Sequence, residues 1–175
     1  MSGDPVPVTT TDLADASPLG VALLDLNNAH EVALSALTAE RLRHLVAQAF
    51  VTTRIGQAEA FLIAFDQDAE YDSPNFLWFR ARFRRFVYVD RIVVAVHARG
   101  RGHARRLYRD LFAHAAQAGH DRIACEVNSR PPNPDSDAFH AALGFTEIGT
   151  ASIHGGSKAV RYLIRHLAPA APDAA

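Results

Sequence analysis

"VVAVHARGRGHARRLYRDLF", residues 93 to 112, decides the fold. An apolar, β-branched run passes through one short turn of Arg and Gly. It then enters a segment whose Leu107, Leu111, Phe112 and Ala115 share one helical face. A helix N-terminus exposes amide groups without partners and the positive end of the dipole, so it attracts anions. Two readings of the turn stand. Either Gly100 and Gly102 only tighten a strand–helix junction, or they keep Cβ atoms away from the backbone of Arg99, Gly100, Arg101, Gly102, His103 and Ala104, where an anion is held. No Gly-Lys-Ser/Thr comes after it, so the turn is not a P-loop. Arg105 stands where the dinucleotide fingerprint has Gly or Ala.

Upstream, FVYVDRIVVAV (86–96) reads as a long strand, and VTTRIG and AFLIAF as a hairpin turning at Gly56 and Gln57. Thr38 caps a helix carrying Leu42, Leu45, Val46 and Ala49. VALLDL, just after Gly20, reads as a short apolar strand, with Asn27 and Asn28 as caps for the segment after them. Residues 66–83 are the least regular, with Ser73-Pro74 opening a short aromatic helix. Downstream, the helix from His103 to Ala118 ends at Gly119, and DRIACEVN is a buried-looking strand. Asn133-Pro134-Asp135 starts a helix closed by Gly144, and FTEIGTA and KAVRYLIRHL are the last strands. The order is β, α, α, β, β, β, α, β, α, β, β. It predicts an α/β domain with a mixed, mostly antiparallel sheet and helices on both faces.

With 175 residues the chain fits one domain and buries roughly 70% of its unfolded surface, so it needs no disulfide or metal to fold. Residues 1–18 and 168–175 read as flexible ends around a domain spanning 19–167. At 49% hydrophobic and 21% charged, the composition is that of a soluble globular protein. A net charge of −1 argues against nucleic acid and acidic lipid as partners. Cys125 is the only cysteine, which excludes a disulfide framework or a Cys-based zinc site. No stretch approaches the roughly 18 apolar residues of a membrane span, and the acidic start lacks a signal peptide's character. A cytoplasmic chain is expected.

Arg99-x-x-Gly102-x-Ala104 after a long strand resembles the acyl-CoA pyrophosphate loop of the GNAT superfamily of N-acyltransferases. Asn133, His140 and the pair Gly144-Phe145 resemble that family's Asn…Tyr-x-x-x-Gly-Phe segment, with His140 where the family has Tyr. Glu126-Val127 resembles the Glu-Val of the branch that acetylates protein N-termini. The resemblance covers Gly20 to Leu167. It implies acetyl-CoA as cosubstrate, no metal, and direct transfer to an amine with both substrates held together. It places the pyrophosphate on the turn amides of Arg99 to Ala104. The pantetheine arm then runs along the backbone of Ile92, Val93 and Val94, with Asn128 and Asn133 beside it. A homodimer is also in keeping with it.

Acyl transfer from a thioester needs a base for the amine, a donor for the carbonyl oxygen and a proton for the thiolate. Glu126, amid the apolar Ile123, Cys125 and Val127, is the first candidate base; the alternative is a structural carboxylate paired with an Arg. Asp90 is the second candidate base, or one half of an Asp–Arg pair with Arg91. His140 is a candidate acid, or a helix-surface histidine, with water or Tyr162 as other acids. Cys125 reads as an inert core thiol. Asp66, Asp68, Glu70 and Asp72, with Tyr71, Trp78 and Phe79, either receive a cationic amine or form a solvated loop over a hydrophobic cluster. The run Arg80, Arg82, Arg84 and Arg85 suits a basic face paired to that loop, or a contact to the CoA 3′-phosphate, better than nucleic acid. The chain is therefore expected to be an acetyl-CoA-dependent N-acetyltransferase acting on a primary amine of a small molecule. Acetylation of a protein N-terminus, or CoA binding without turnover, stay open.

Overall fold

The computed structural model describes residues 3–30 and 34–168. Seven strands form one sheet: β1 (Val6–Pro7), β2 (Val51–Ile55), β3 (Ala60–Asp66), β4 (Val87–Val94), β5 (Arg122–Arg130), β6 (Thr146–Ile153) and β7 (Lys158–His166). Their spatial order is β1-β2-β3-β4-β5-β7-β6, and every neighbouring pair is antiparallel except β4 and β5. Five helices cover it: α1 (Pro18–Asn28), α2 (Ala39–Gln48), α3 (Pro74–Arg80), α4 (His103–Gln117) and α5 (Pro134–Ala142). The expected mixed α/β fold is present, with the chain order β, α, α, β, β, α, β, α, β, α, β, β.

The apolar alternation of the strands divides the core in two. Phe61, Ile63, Phe65, Tyr88, Ala124 and Tyr162 pack with Leu23, Leu42, Phe76 and Phe79 of α1, α2 and α3 on one face. Leu62, Val87, Cys125, Val127 and Leu163 pack with Leu107, Tyr108 and Leu111 of α4 on the other. α4 and its Gly119 terminus lie as the sequence predicts, with Gly119 at φ 77°. Thr38 accepts from the Arg41 amide at 3.1 Å and so caps α2.

The N-terminal end departs from the sequence reading. VALLDL is helical, because Ser17 accepts from the Gly20 amide at 2.9 Å and Pro18 occupies the first helical turn. Leu23, Leu26 and Asn27 are its buried residues, a helical spacing that a short apolar run conceals. Asn27 and Asn28 therefore do not cap a following helix. Asn27 donates to the Ser35 carbonyl at 3.1 Å, and Asn28 exchanges hydrogen bonds with both the amide and the carbonyl of Leu37. The segment expected to be flexible adds the edge strand β1 beside β2 and buries Val8 and Leu13. The tail from 169 lies outside the described residues.

Candidate active site

β4 and β5 pair only at Val87–Ile123 and Tyr88–Ala124. Beyond those rungs they part, leaving a cleft of about 320 Å³ whose walls carry residues 89–94 of β4 and 125–128 of β5. The edge of β4 that faces this gap carries no ladder with β5, so its backbone groups are free to meet a ligand lying along it. Ile92, Val93, Val94, Asp90, Arg99, Glu126, Asn128, Asn133 and His140 all line the cleft. It continues past Ile92 and Val94 to the α4 N-terminus, where Gly100, Gly102, His103 and Ala104 line its outer part. Arg101 is exposed and lines neither part.

Glu126 projects on the Ala124 side of the sheet. Its Oε1 accepts from Asn75 Nδ2 of α3 at 3.1 Å, and Asn75 Oδ1 in turn accepts from the Tyr162 hydroxyl at 3.0 Å. Oε2 has no hydrogen-bond partner among the described residues. The Arg partner of a purely structural carboxylate is not there. Burial pushes the Glu126 carboxyl up to about 7, a rise that Tyr88 and Asn75 restrain and the nearby Asp90 charge reinforces. A carboxyl poised there exchanges a proton near neutrality.

Asp90 takes the other of its two readings. A register shift between Ile63 and Ala64 leaves Asp90 as the extra residue of a β-bulge in β4, which turns its side chain toward Arg91. Arg91 Nε donates to Asp90 Oδ2 at 2.6 Å, and Tyr71 donates its hydroxyl to Oδ1 at 2.5 Å. Arg91 Nη1 also donates to Asn27 Oδ1 at 2.7 Å, tying α1 to the sheet. Burial would weaken the guanidinium's hold on its proton, but Asp90 beside it outweighs that and keeps it charged. With its oxygens so committed, Asp90 shapes the cleft rather than acting as base.

At the opposite end, Gly102 precedes α4 with φ 76° and no side chain caps the helix. Gly100 has φ 75°, and a Cβ built on either glycine would meet nothing within 4 Å. The turn is thus open space beside amides that no side chain caps, which leaves room for an anion. An acyl-CoA would have room for its pyrophosphate at this turn and for its pantetheine arm along the unpaired edge of β4. The His103 ring is buried 3.2 Å from Glu59 Oε2 without a hydrogen bond, and burial lowers its pKa, so it anchors the turn as a neutral ring. Asn133 caps α5 by accepting from the Ser136 amide at 3.2 Å while lining the cleft.

His140 is 4% exposed, so the helix-surface reading fails. Its Nδ1 lies 2.7 Å from the Ser136 carbonyl and Nε2 lies 2.8 Å from the Tyr108 hydroxyl. A carbonyl only accepts, so Nδ1 carries the proton and Nε2 accepts from Tyr108. Burial lowers the His140 pKa, leaving a neutral ring with no proton free for a leaving group. Burial also raises Tyr108 and Tyr162, which makes both poor acids. Cys125 is buried and its thiol is pushed up by burial, as an inert core thiol should be.

On the face opposite α4 a second hollow of about 380 Å³ opens onto Glu126 and Asp90 between residues 34–37, 71–75 and Ile153, His154 and Lys158. Of the four acidic residues expected to receive an amine, only Asp72 lines it. Trp78 stacks on Tyr162 at 4.1 Å instead. Among the described residues the arginine run makes no ion pair with the carboxylates of the acidic loop: Arg80 donates to the Ala69 carbonyl of that loop at 3.4 Å and lies 5.4 Å over Phe76, Arg82 lies 3.7 Å over Trp78, and Arg85 donates to the Ala118 carbonyl. Asn75, Tyr108 and Lys158 carry no signal in the sequence. Asn75 sits in a segment without periodicity, and Tyr108 is indistinguishable from a core position of α4. Among the described residues no helix is long and apolar enough to cross a membrane, and no group of three His, Cys, Asp or Glu could hold a metal ion.

Residues 23–145 match the family model described as the acetyltransferase (GNAT) family. No curated protein sequence matches the chain. Among solved structures, the chain is similar to the ribosomal-protein-S18-alanine N-acetyltransferase of Escherichia coli, at 15% identity and TM-score 0.67, over 100% of this chain and 99% of that one. It is similar to yncA of Salmonella typhimurium, a putative acetyltransferase solved with acetyl-CoA, at 16% identity and TM-score 0.68, over 100% and 99%. Ard1 of Thermoplasma volcanium gives 12% identity and TM-score 0.71, over 96% and 99%.

Proposed function

From a chain that belongs to the GNAT acetyltransferase family and uses acetyl-CoA, we propose a direct acetyl transfer to a primary amine of a small molecule, with Glu126 as general base. The observation that carries this reading is the unpartnered Glu126 Oε2, held in the gap where β4 and β5 part. The amides of residues 99–104 and the edge of β4 at Ile92–Val94 would hold acetyl-CoA, which supplies an acetyl group already activated as a thioester. Glu126 faces the hollow opposite α4, so it receives the amine proton as the N–C bond forms and the C–S bond breaks. One N–H of Ile92–Val94 stabilises the carbonyl oxygen as it turns negative. A thiol's ordinary pKa of about 8.5 lets the sulfur depart as thiolate and take its proton from water in the open cleft. Neither His140 nor a raised tyrosine is needed as acid.

A small acceptor suits the hollow of about 380 Å³ beside Glu126, within the usual range of small-molecule sites. The test is release of free thiol from acetyl-CoA against a library of amines, wild type against Glu126→Gln. Amine-dependent turnover that drops about 100-fold or more in Glu126→Gln, with acetyl-CoA affinity kept, supports the reading. Binding of acetyl-CoA with no turnover on any amine or peptide would leave a CoA-binding module instead.

A further inference from the structure

The hollow that meets Glu126 is not the acidic vestibule a polycationic amine would need. Apart from Glu126, its carboxylates are spoken for. Asp90 is held by Arg91 and Tyr71, and Asp72, 93% exposed, faces Arg41 at 3.7 Å. Three cations, Arg41, Arg91 and Lys158, line the hollow against the three carboxylates Asp72, Asp90 and Glu126, and Arg41 and Arg91 are already matched to Asp72 and Asp90. Lys158 is the telling one. It opens β7, is partly buried, and lines both the outer hollow and the cleft that contains Glu126. Its side chain has no hydrogen bond, ion pair or ring partner among the described residues. A partly buried cation with no ion-pair partner among the described residues, at the rim of a site whose floor is a base, is arranged for an anion that arrives with the substrate.

Strand register places it correctly. Glu126 pairs with Tyr162 and Asn128 with Val160, so Lys158, two further along β7, lies on the same face of the sheet as Glu126. Lys158 lies four residues from Tyr162, about 13 Å along the strand, and its extended side chain can reach back over part of that span. Arg41 approaches the hollow from α2 on the other side and rests 5.8 Å over the Tyr71 ring.

Building on the transferase reading above, we propose that the acceptor is a small amino acid or a close analogue, its carboxylate bound by Lys158 with Arg41 while its amine meets Glu126. The carboxylate fixes which end of the acceptor enters, and the amine is left as the only nucleophile that reaches the cleft.

The experiment compares kcat/KM for L-leucine, L-phenylalanine and L-glutamate with isoamylamine, phenethylamine and leucinamide, and with a hexapeptide amidated at its C-terminus. Wild type, Lys158→Met and Lys158→Arg are assayed with acetyl-CoA. Loss of a charge-assisted contact is expected to cost about tenfold or more in wild type when the carboxylate is removed, chiefly in KM. Lys158→Met closes that gap and Lys158→Arg preserves it, which separates lost recognition from lost folding. Equal rates for amino acids and their decarboxylated amines, or an unchanged gap in Lys158→Met, overturn the proposal while leaving the acetyltransferase reading intact. A hexapeptide turned over faster than every amino acid overturns it in favour of a peptide N-terminus. Failure of all acceptors alike falls on the transferase reading itself, and on this inference with it.

Discussion

The Tyr108 hydroxyl donates to His140 Nε2 at 2.8 Å, and the other imidazole nitrogen is spent on the Ser136 carbonyl, so α4 and α5 are joined by a fully used, neutral histidine. Tyr108→Phe leaves Nε2 buried without a donor, which costs about 1–3 kcal/mol. Urea unfolding should show that loss, and saturating turnover should change far less than stability does. A Tyr108→Phe protein as stable as wild type but deprived of turnover would instead make Tyr108 the acid.

Glu126 links activity and stability to pH in opposite senses. Its carboxyl, at about 7 when folded against an ordinary value of 4.5, acts as base only when ionised, so kcat/KM should rise as pH passes through about 7. Folding retains this proton where the unfolded chain has lost it. The associated stability is complete below about 4.5 and is lost as pH rises to about 7. In Glu126→Gln both trends should flatten, the first in initial rates and the second in melting temperature measured across that window. An unaltered pH–rate profile in the variant's residual activity would remove Glu126 from the chemistry.

Arg91 is the electrostatic tie of the cleft wall. It and Asp90 are each 5% exposed, so Arg91→Met strands a buried carboxylate and frees Asn27. The expected loss is about 3–5 kcal/mol in denaturant unfolding. The double variant Arg91→Met with Asp90→Asn should recover part of it, because the stranded charge is gone. No recovery would mean that the pair matters through packing alone.

Gly102 and Gly119 flank α4 with nearly the same backbone, φ 76° and φ 77°. Alanine at either costs about 1–2 kcal/mol in the left-handed region. Only Gly102→Ala should also weaken acetyl-CoA, by about tenfold or more, because only that turn is the anion cradle. Equal affinity in the two variants would return the turn to a tight junction.

Much of the fold is readable in the chain. The strand–turn–helix at 93–112, the hairpin at Gly56 and the helix from Asn133 to Gly144 each pair strong periodicity with a local stop or cap, and each forms where it should. VALLDL misleads because five apolar residues around a single Asp fit a strand as well as a helix, and Ser17-Pro18 is the signal that separates them. At the site, the placement of Glu126 in the cleft and the uncapped turn before α4 are legible from type and spacing. The Asp90–Arg91 pair is legible as one of two readings, while the roles of His140 and Asn75 are not, because they depend on partners as distant in sequence as Tyr108 and Tyr162. A bulge such as that at Asp90 leaves no mark in a β-branched run.

The most direct measurement is calorimetric titration of acetyl-CoA, CoA and NADP into the purified protein. Saturable binding of acetyl-CoA and CoA, with no heat from NADP, is the result expected of the β4–β5 cleft and the turn at 99–104. No binding of either CoA species would contradict the assignment of that cleft, because the turn would then only join a strand to a helix.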